Sequence, residues 1–522
     1  MSRPFYLTTA IYYANGAPHI GHAYEVIAAD VIARFNRLIG KQVFFLTGTD
    51  EHGIKVQKTA LAQGTSPKTY VDDIAAVYRQ EWAYLNVTHD RFIRTTDPEH
   101  YELVTRLWNK LVEKGDIYKA QYTGTYCPIR EAFLTDRELK LMQDTGEDMS
   151  KLEAVTEENY FFRLSNYKDR VREFIETHET FILPAYRRNE VLNQLEDLAD
   201  ISVSRSKKSV SWGIPVPGDD EQVIYVWIDA LSNYLTGLDW GVDDAAAKER
   251  FEEYWPPNVQ VIGKDIMRFH AIYWPAMLMA ADLPLPEHLL VHGFITVADT
   301  KISKSLGNVI TPKDLVDRFE LPNVDPIRYY FLATTPFGQD GSYTDDDFKA
   351  KVNADLANNL GNLLNRTLNM TKKYFDGAVP SFSKDYQGLI DISELNPIRE
   401  HYDNYRFSEA MQSIMGFVDR ANKYINEKEP WTLHKEEKLE QLGDVIYAIL
   451  DSLRQVAILL YPVCPSLTKD LWAQLGFDMD LDQADWRWIN GMLTPVGQHT
   501  RLGEPVLPRL ESEIVGTGGK KK

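Results

Sequence analysis

The chain has 522 residues with 57 basic and 76 acidic side chains, which gives a formal net charge of −19. This length predicts several domains, and the acidic balance argues against a protein that coats nucleic acid without specificity. The two cysteines, Cys127 and Cys464, predict no disulfide framework and fit a reducing cytoplasm. The longest apolar stretch, near residues 273–281, is too short to cross a bilayer, and no signal peptide precedes the first predicted strand.

The first predicted strand runs from Phe5 to Tyr13 and leads through a turn into a helix that extends from His19 to about Leu38. His19 and His22 would then lie on the first turn of this helix, where free N–H groups and the helix dipole favour phosphate. Gly21 between them would let a nucleotide approach the backbone. The alternative is that both histidines only cap the helix or satisfy the core.

The next predicted strand, Val43 to Leu46, is followed by Asp50 in a glycine-flanked loop. We expect Asp50 to lie at the carboxyl edge of a parallel sheet, where open α/β sheets bind ligands. The alternative is an aspartate that only forms a turn.

Residues from about 118 to 213 break the alternation of strands and helices and indicate an inserted domain. The α/β pattern returns near residues 223–227 and 259–263. A single thiol, Cys127, cannot supply a four-ligand zinc site, so we predict no structural zinc, no other metal centre, and an insertion held together by apolar packing alone.

A further strand is predicted from Leu289 to Val297, followed by a turn and a loop, Lys301 to Gly307, with two lysines. A doubly cationic loop suits a transition state in which charge builds on a leaving pyrophosphate. The alternative is a solvated basic loop. From about residue 351 onward the pattern is helical and predicts a helix bundle.

Two of these segments, His19-Ile20-Gly21-His22 and Lys301-Ile302-Ser303-Lys304-Ser305, resemble the two signatures of class I aminoacyl-tRNA synthetases. Further segments resemble the methionyl-tRNA synthetase family in particular: residues 10–16, 48–53, 212–215, 225–230, 262–266 and 291–294. The resemblance spans nearly the whole chain. The roughly hundred residues of the insertion leave little room for the large hydrolytic editing module of relatives specific for isoleucine, valine or leucine.

The resemblance implies an α/β fold: a Rossmann-like parallel-sheet catalytic domain with an inserted connective domain, followed by an α-helical bundle that binds the anticodon. The expected domains are the two catalytic halves 1–117 and 214–300, the connective domain 118–213 without a zinc knuckle, the lysine signature loop and stem-contact region 301–350, and the helical anticodon-binding domain 351–522 with a flexible C-terminal tail.

The resemblance further implies that the chain activates methionine with ATP, with Mg²⁺ on the phosphates, and transfers it to tRNA(Met). The implied catalytic residues are His19, His22, Lys301 and Lys304. The implied ATP-binding residues are Gly21, Gly263, Asp265, Lys301, Ser303, Lys304 and Ser305. The implied methionine-binding residues are Ala10, Ile11, Tyr13, Asp50, Trp227, Ala230, Leu231, Tyr234, Ile266 and His270, with Leu231 replacing a proline common in relatives.

On the RNA side, the resemblance assigns the anticodon to Asn362, Arg366 and Trp431. Asn362 and Arg366 are four residues apart on one predicted helix and therefore share a face. The alternative for these residues is a helix-capping arginine and a buried tryptophan. We expect a cytoplasmic monomer without a membrane partner. Two other functions remain open at this point: an adenylating or nucleotidyl-transferring enzyme that uses no tRNA, and a non-catalytic tRNA-binding scaffold.

Overall fold

The computed structural model describes residues 3–127, 132–134, 136–145, 148–196, 198–302, 307–383, 388–390 and 392–511. The chain forms two compact units. The first unit takes residues up to 18, 43–83 and 88–292, and the second takes 19–42, 84–87 and the residues from 293 onward. Within the described part of the chain, no helix is both long and apolar enough to cross a membrane.

The strands are β1 (Phe5–Thr9), β2 (Tyr12–Tyr13), β3 (Val43–Asp50), β4 (Arg91–Arg94), β5 (Ile117–Cys127), β6 (Ala132–Leu134), β7 (Glu153–Phe162), β8 (Ile182–Leu183), β9 (Ile201–Ser202), β10 (Ser204–Ser206), β11 (Pro215–Val216), β12 (Asp219–Ile224), β13 (Val259–Gly263), β14 (His288–His292), β15 (Ile295–Val297), β16 (Thr300–Lys301) and β17 (Gly341–Tyr343).

The helices are α1 (Ile20–Leu38), α2 (Ile54–Ala62), α3 (Pro67–Tyr84), α4 (Pro98–Glu113), α5 (Asp136–Thr145), α6 (Lys168–Thr177), α7 (Tyr186–Gln194), α8 (Val226–Leu231), α9 (Asn233–Thr236), α10 (Ala245–Tyr254), α11 (Trp274–Ala280), α12 (Pro312–Phe319), α13 (Asp325–Thr334), α14 (Asp345–Val352), α15 (Asn362–Phe375), α16 (Ile392–Asp403), α17 (Phe407–Lys428), α18 (Pro430–Lys435), α19 (Leu439–Leu460), α20 (Pro465–Gln474) and α21 (Trp488–Gly491). Two π-helical segments, Phe269–Tyr273 and Asn353–Gly361, lie among them.

A parallel sheet forms the centre of the first unit. β1 pairs with β3 on one side and with β13 on the other, β14 pairs with β13, and β8 pairs with β14. β2 and β4 also pair with β3, and every one of these pairings is parallel. All five residues of β13 are buried, as expected for a parallel strand covered on both faces. The predicted parallel sheet is therefore confirmed.

The strand boundaries differ from the sequence prediction in three places. The strand predicted from Phe5 to Tyr13 is interrupted between β1 and β2. β3 runs on to Asp50, so this residue ends a strand and does not lie in a loop. The strand predicted from Leu289 to Val297 is two strands, β14 and β15, in different sheets. Gly293, between them, approaches Gln339 so closely that a Cβ would lie 2.2 Å from its carbonyl oxygen.

The segment predicted as an insertion is antiparallel, but it is not separate from the sheet. β6, β5, β7 and β9 form one antiparallel sheet, while β8 from the same segment joins the central sheet. The α/β pattern predicted to return near residues 223–227 corresponds to β12 followed by α8, which contains Trp227. However, β12 pairs antiparallel with β10 and β11 and does not belong to the central sheet. Cys127 is buried with Leu134 and Met142 in a small apolar cluster.

The second unit is mainly helical, as predicted. In α19, 18 of the 22 residues are buried, and the helix packs against α15, α17, α18, α20 and α21. β15 pairs antiparallel with β16 and parallel with β17 to form a small sheet. α1 belongs to this unit, whereas the strands before and after it belong to the first. The predicted flexible tail, from residue 512 onward, lies outside the described residues.

Candidate active site and anticodon-binding surface

The two histidines of the first signature cap α1 through a reciprocal arrangement. His19 is the N-cap residue, and its Nδ1 atom accepts a hydrogen bond of 3.0 Å from the backbone N–H of Gly21. The Nδ1 atom of His22 accepts one of 3.1 Å from the backbone N–H of His19. A neutral imidazole that accepts on Nδ1 carries its proton on Nε2. Both rings therefore keep a donor on the side away from the helix backbone.

Gly21 makes room for this arrangement. The rings of His19 and His22 stack with their centroids 3.9 Å apart, and a Cβ at Gly21 would lie 2.9 Å from Cε1 of His19. The backbone N–H of Ile20, at the start of α1, donates to the carbonyl oxygen of Ile310, which belongs to the same unit. Glycine at position 21 therefore leaves space for the ring of His19. The sequence prediction gave this glycine only the role of admitting a nucleotide.

In the first unit, Asp50 lies at the carboxyl end of β3 beside Tyr13. The two residues are partners in the register between β2 and β3, and the backbone N–H of Ala14 donates to the carbonyl oxygen of Asp50. Asp50 is buried, with 7 % of the residue exposed. The carboxylate therefore occupies the edge of the sheet where α/β proteins bind ligands.

Glu51, the next residue, is held by a network of its own. Arg94 donates to both of its carboxylate oxygens, at 2.7 and 2.9 Å, and Thr49 and Thr96 donate to the same group. The indole N–H of Trp212 donates to the carbonyl oxygen of Glu51 at 2.7 Å. A bidentate arginine–carboxylate pair is among the stronger polar contacts in proteins. The backbone next to Asp50 is thereby fixed.

Side chains from α8 and α9 contact the π-helical segment Phe269–Tyr273. Trp227 stacks on Phe269 with the ring centroids 3.3 Å apart and an interplanar angle of 11°. The hydroxyl of Tyr234 lies 2.7 Å from Nε2 of His270, whose Nδ1 lies 3.0 Å from the carbonyl oxygen of Ile266. Phe269 and His270 lie in a π-helical segment, a distortion that is frequent at functional sites.

Burial keeps the imidazole of His270 uncharged near neutral pH. Burial lowers the pKa of His270 to about 4, although its hydrogen bond to the backbone of Ile266 acts in the opposite direction. The neutral ring then donates from Nδ1 to Ile266 and accepts from Tyr234 on Nε2. Such a surface suits an uncharged, soft side chain.

Six of the predicted methionine-binding residues belong to the large apolar core of the first unit: Ala10, Leu231 and Tyr234 are buried in it, and Ile11, Trp227 and Ile266 pack against it. Tyr13 packs against a separate small cluster with Ala14 and Val56. Ala230 is buried on α8. Sequence reasoning missed Phe269, which a pattern of aromatic residues alone does not distinguish from a core residue.

The predicted nucleotide residues lie at the ends of two neighbouring strands. Gly263 ends β13 and pairs in register with His292, which ends β14. A Cβ at Gly263 would lie 2.7 Å from Oδ1 of Asp265, so the glycine lets this carboxylate lie against the strand end. Asp265 is exposed. A carboxylate in this position can accept hydrogen bonds from ribose hydroxyls.

The lysine signature is only partly described. The backbone of Lys301 ends β16 and pairs with Thr296 in β15. Ser303, Lys304 and Ser305 lie outside the described residues, as does the side chain of Lys301. Among the residues that the structure describes, no group of three or more histidine, cysteine, aspartate or glutamate side chains is arranged to hold a metal ion.

The three predicted anticodon residues lie on the helical part of the second unit. Asn362 and Arg366 are exposed at the start of α15, and Nη2 of Arg366 donates to Oδ1 of Asn426 on α17 at 3.0 Å. Trp431 lies on α18, which follows α17, and is 39 % exposed. The alternative of a buried tryptophan is therefore wrong, and all three side chains are accessible.

Comparison with known proteins agrees with this arrangement. The family model described as "tRNA synthetases class I (M)" matches residues 5–147 and 143–368, and that of the "Anticodon-binding domain of tRNA ligase" matches residues 395–491. The methionine–tRNA ligase of Caldanaerobacter subterraneus is 46 % identical over 98 % of this chain and 80 % of its own length. That of Enterococcus faecalis is 44 % identical over 99 % of this chain and 79 % of its own length.

Among solved structures, the methionyl-tRNA synthetase of Mycobacterium tuberculosis bound by methionyl-adenylate superimposes with a TM-score of 0.90 at 39 % identity, covering 97 % of this chain and 100 % of that one. The apo form from the same organism gives a TM-score of 0.83 at 36 % identity, covering 98 % and 99 %. The predicted fold class is confirmed. The chain belongs to the methionyl-tRNA synthetase family of class I tRNA synthetases.

Proposed function

We propose that this methionine–tRNA ligase uses the residues described above in a two-step reaction. In the first step the carboxylate of methionine attacks the α-phosphate of ATP. A bond forms between a carboxylate oxygen and the α-phosphorus, and the bond to the β-phosphate oxygen breaks, so that pyrophosphate leaves with the electron pair. The second step moves the methionyl group to the 3′-terminal adenosine of tRNA(Met) and releases AMP.

The observation that carries the methionine assignment is the neutral pair of Tyr234 and His270, with an O–N distance of 2.7 Å, in the same unit as the Trp227–Phe269 stack. A thioether arm needs an aromatic, polarizable and uncharged surface. Asp50 supplies the negative charge for the α-ammonium. The remaining contacts are assigned to Ala10, Ile11, Tyr13, Ala230, Leu231 and Ile266.

For ATP, we assign the Nε2–H groups of His19 and His22 to the phosphates and Asp265 to the ribose. The Nδ1 atoms of both histidines accept backbone hydrogen bonds, and this supports Nε2 as the donor in each ring. Gly21 and Gly263 leave room beside these side chains. Lys301 and Lys304, with Ser303 and Ser305, are assigned to the charge that develops on pyrophosphate. Mg²⁺ is assigned to the phosphates of ATP as a substrate-borne ion.

This assignment needs no covalent nucleophile from the protein. The methionine carboxylate is itself the nucleophile, so catalysis consists of positioning and charge stabilisation. Loss of one donor to the developing charge typically costs about 10²–10³ in rate. We therefore expect Lys304→Ala to lose most methionine-dependent pyrophosphate exchange, and near-normal exchange would contradict its role.

For tRNA, we assign Asn362, Arg366 and Trp431 to the anticodon. An exposed indole offers a stacking surface for an unstacked base, and the amide and guanidinium groups can bind base edges. The Arg366–Asn426 bond supports this role, because it holds the guanidinium on the exposed surface of the bundle.

The remaining assignments are the domain bounds 1–117, 118–213, 214–300, 301–350 and 351–522, a monomer, a cytoplasmic location and the absence of structural zinc. The apolar cluster around Cys127 supports a connective segment that is packed without a metal. Elemental analysis of purified protein tests the zinc assignment: one tightly bound zinc per chain would contradict it.

The experiment that tests the function joins two assays on the same protein: methionine-dependent ATP–pyrophosphate exchange and methionylation of tRNA(Met). A ligase shows both activities. Exchange without charging would identify an adenylating enzyme that uses no tRNA, and tRNA binding without either activity would identify a scaffold.

A further inference from the structure

A carboxylate on α8 lies at the centre of a buried network that begins two residues after Asp50. Oδ2 of Asp229 is 2.7 Å from Nδ1 of His52, and its Oδ1 is 2.9 Å from Nε2 of His100. The exposed fractions of Asp229, His52 and His100 are 0 %, 2 % and 0 %. A fully buried carboxylate that touches two histidines needs an explanation, because burial of a charge is costly without good partners.

Two further groups complete the network at its ends. The hydroxyl of Tyr101 lies 3.0 Å from Nε2 of His52, and the hydroxyl of Thr236 lies 2.8 Å from Nδ1 of His100. Each imidazole thus contacts Asp229 through one nitrogen and a hydroxyl oxygen through the other. The network therefore satisfies both nitrogens of each ring and both oxygens of the carboxylate.

The carboxylate of Asp229 is ionised. Burial by itself would raise the pKa of Asp229, but the contacts with His52 and His100 bring it to about 2. Hydrogen bonds to an ionised acceptor are shorter and stronger than neutral ones. Asp229 thus accepts two charge-assisted bonds, one from the segment that follows β3 and one from α4.

These bonds fix the helix that carries part of the proposed methionine pocket. Trp227, Asp229 and Ala230 all lie on α8, which has six residues. At about 100° per residue, Asp229 lies about 200° around the helix axis from Trp227, so the two side chains leave the helix on nearly opposite sides. The network therefore contacts the face of α8 that carries Asp229, and Trp227 stacks on Phe269 from the opposite face.

We propose that Asp229 is a positioning residue for methionine: through His52 and His100 it fixes α8 relative to the segment that carries Asp50. The inference rests on the proposed assignment of Asp50 to the amine and of Trp227 and Ala230 to the side-chain pocket. Methionine contacts both parts at once, and a binding site must be held within about 0.5 Å of its working geometry. The contact between His52 and Asp229 joins these two parts.

Amide substitutions test the links one at a time. The side-chain amide of asparagine matches the Nδ1 position of histidine, and that of glutamine matches Nε2. His52 contacts Asp229 through Nδ1, so His52→Asn keeps this bond and His52→Gln loses it. His100 contacts Asp229 through Nε2, so the pattern is reversed: His100→Gln keeps the bond and His100→Asn loses it.

The readout is steady-state pyrophosphate exchange with separate KM values for methionine and ATP. We expect His52→Gln and His100→Asn to raise the KM for methionine about tenfold, because a displacement of α8 weakens the contacts of Trp227 and Ala230 with methionine. We expect His52→Asn and His100→Gln to stay within about twofold of the unmodified protein. The KM for ATP should stay within about twofold in all four variants.

Asp116→Ala is the matched control, because it removes another buried carboxylate of the same unit, one that accepts from the hydroxyl of Tyr167 at 2.7 Å. We expect it to leave the KM for methionine unchanged. The inference is overturned if all four histidine variants behave alike, or if the KM values for methionine and ATP rise together. If the unmodified protein shows no methionine-dependent exchange, the proposed function fails instead, so the two failures are distinguishable.

Discussion

Nη2 of Arg328 lies 2.6 Å from Oδ2 of Asp30, although the two residues are 298 positions apart in the chain. Both side chains are fully buried. The same oxygen of Asp30 accepts from Nε of Arg34 at 2.8 Å, and Arg328 also donates to the carbonyl oxygens of Leu85, Pro462 and Val463. Because Asp30 lies on α1, this contact ties α1 to α13 and to the segment that follows α19.

We expect Arg328→Leu to lower the free energy of unfolding by about 3–5 kcal/mol, because it leaves a buried carboxylate and three carbonyl groups with fewer donors. Urea-induced unfolding measures the change. The control is Arg318→Leu, which removes an ion pair with Asp345 whose side chains are 38 % and 47 % exposed. That pair should contribute less than about 1 kcal/mol. Equal losses in the two variants would contradict the importance of the buried contact.

The two histidines of α1 can be separated from their capping role. His19→Asn and His22→Asn keep an acceptor near the Nδ1 position and remove the Nε2 donor. We expect each variant to change the free energy of unfolding by less than about 1 kcal/mol and to lower the rate of pyrophosphate exchange about 10²-fold or more. Unfolding and exchange are measured on the same preparations. Near-normal exchange would support the alternative that these histidines only cap the helix.

The buried imidazole of His270 predicts a specific pH dependence of stability. The unfolded chain binds a proton on this residue below pH 6.5, whereas the folded protein does so only near pH 4. Its contribution is therefore complete above pH 6.5 and is lost as the pH falls from 6.5 to 4. Between pH 7 and pH 5 we expect this residue alone to lower the free energy of unfolding by about 2 kcal/mol.

Urea unfolding at the two pH values checks this prediction. His270→Gln should show a smaller loss of stability between pH 7 and pH 5 than the unmodified protein. The exposed His178, replaced by glutamine, is the control and should leave the difference unchanged. An equal pH dependence with and without His270 would show that its pKa is not lowered.

Replacement of the exposed tryptophan should separate charging from activation. We expect Trp431→Ala to leave pyrophosphate exchange within about twofold, while kcat/KM for tRNA(Met) falls about 5- to 150-fold, the equivalent of about 1–3 kcal/mol for one stacked base. Leu439→Ala, which removes another exposed apolar side chain of the second unit, is the control. Equal losses of exchange and charging would contradict the separation of the two roles.

Local patterns predicted much of the fold. The apolar repeat from Ile20 to Leu38 identified α1, and the signature residues placed His19 and His22 at its start, as the structure confirms. The strand that ends at Gly263 and the helical second half of the chain also follow from short-range patterns. Such features depend on a residue's near neighbours and are visible in one sequence.

Features that depend on distant partners were missed. The strand predicted to end at Leu46 continues through Gly48 to Asp50. Gly48 permits a close approach of the adjacent strand, since a Cβ there would lie 2.0 Å from the carbonyl oxygen of Ile93. Asp229 meets His52 across 177 positions and His100 across 129, and neither distance leaves a periodic signal. The close approach of another strand or helix, not local preference, determined these positions.

The most direct test of the central claim is ATP–pyrophosphate exchange with each of the twenty amino acids supplied singly to the full chain. The account predicts exchange with methionine well above the others, and a loss of most of this exchange in Asp50→Asn through a raised KM for methionine. Stronger exchange with isoleucine, leucine or valine, or no exchange with methionine, would contradict it.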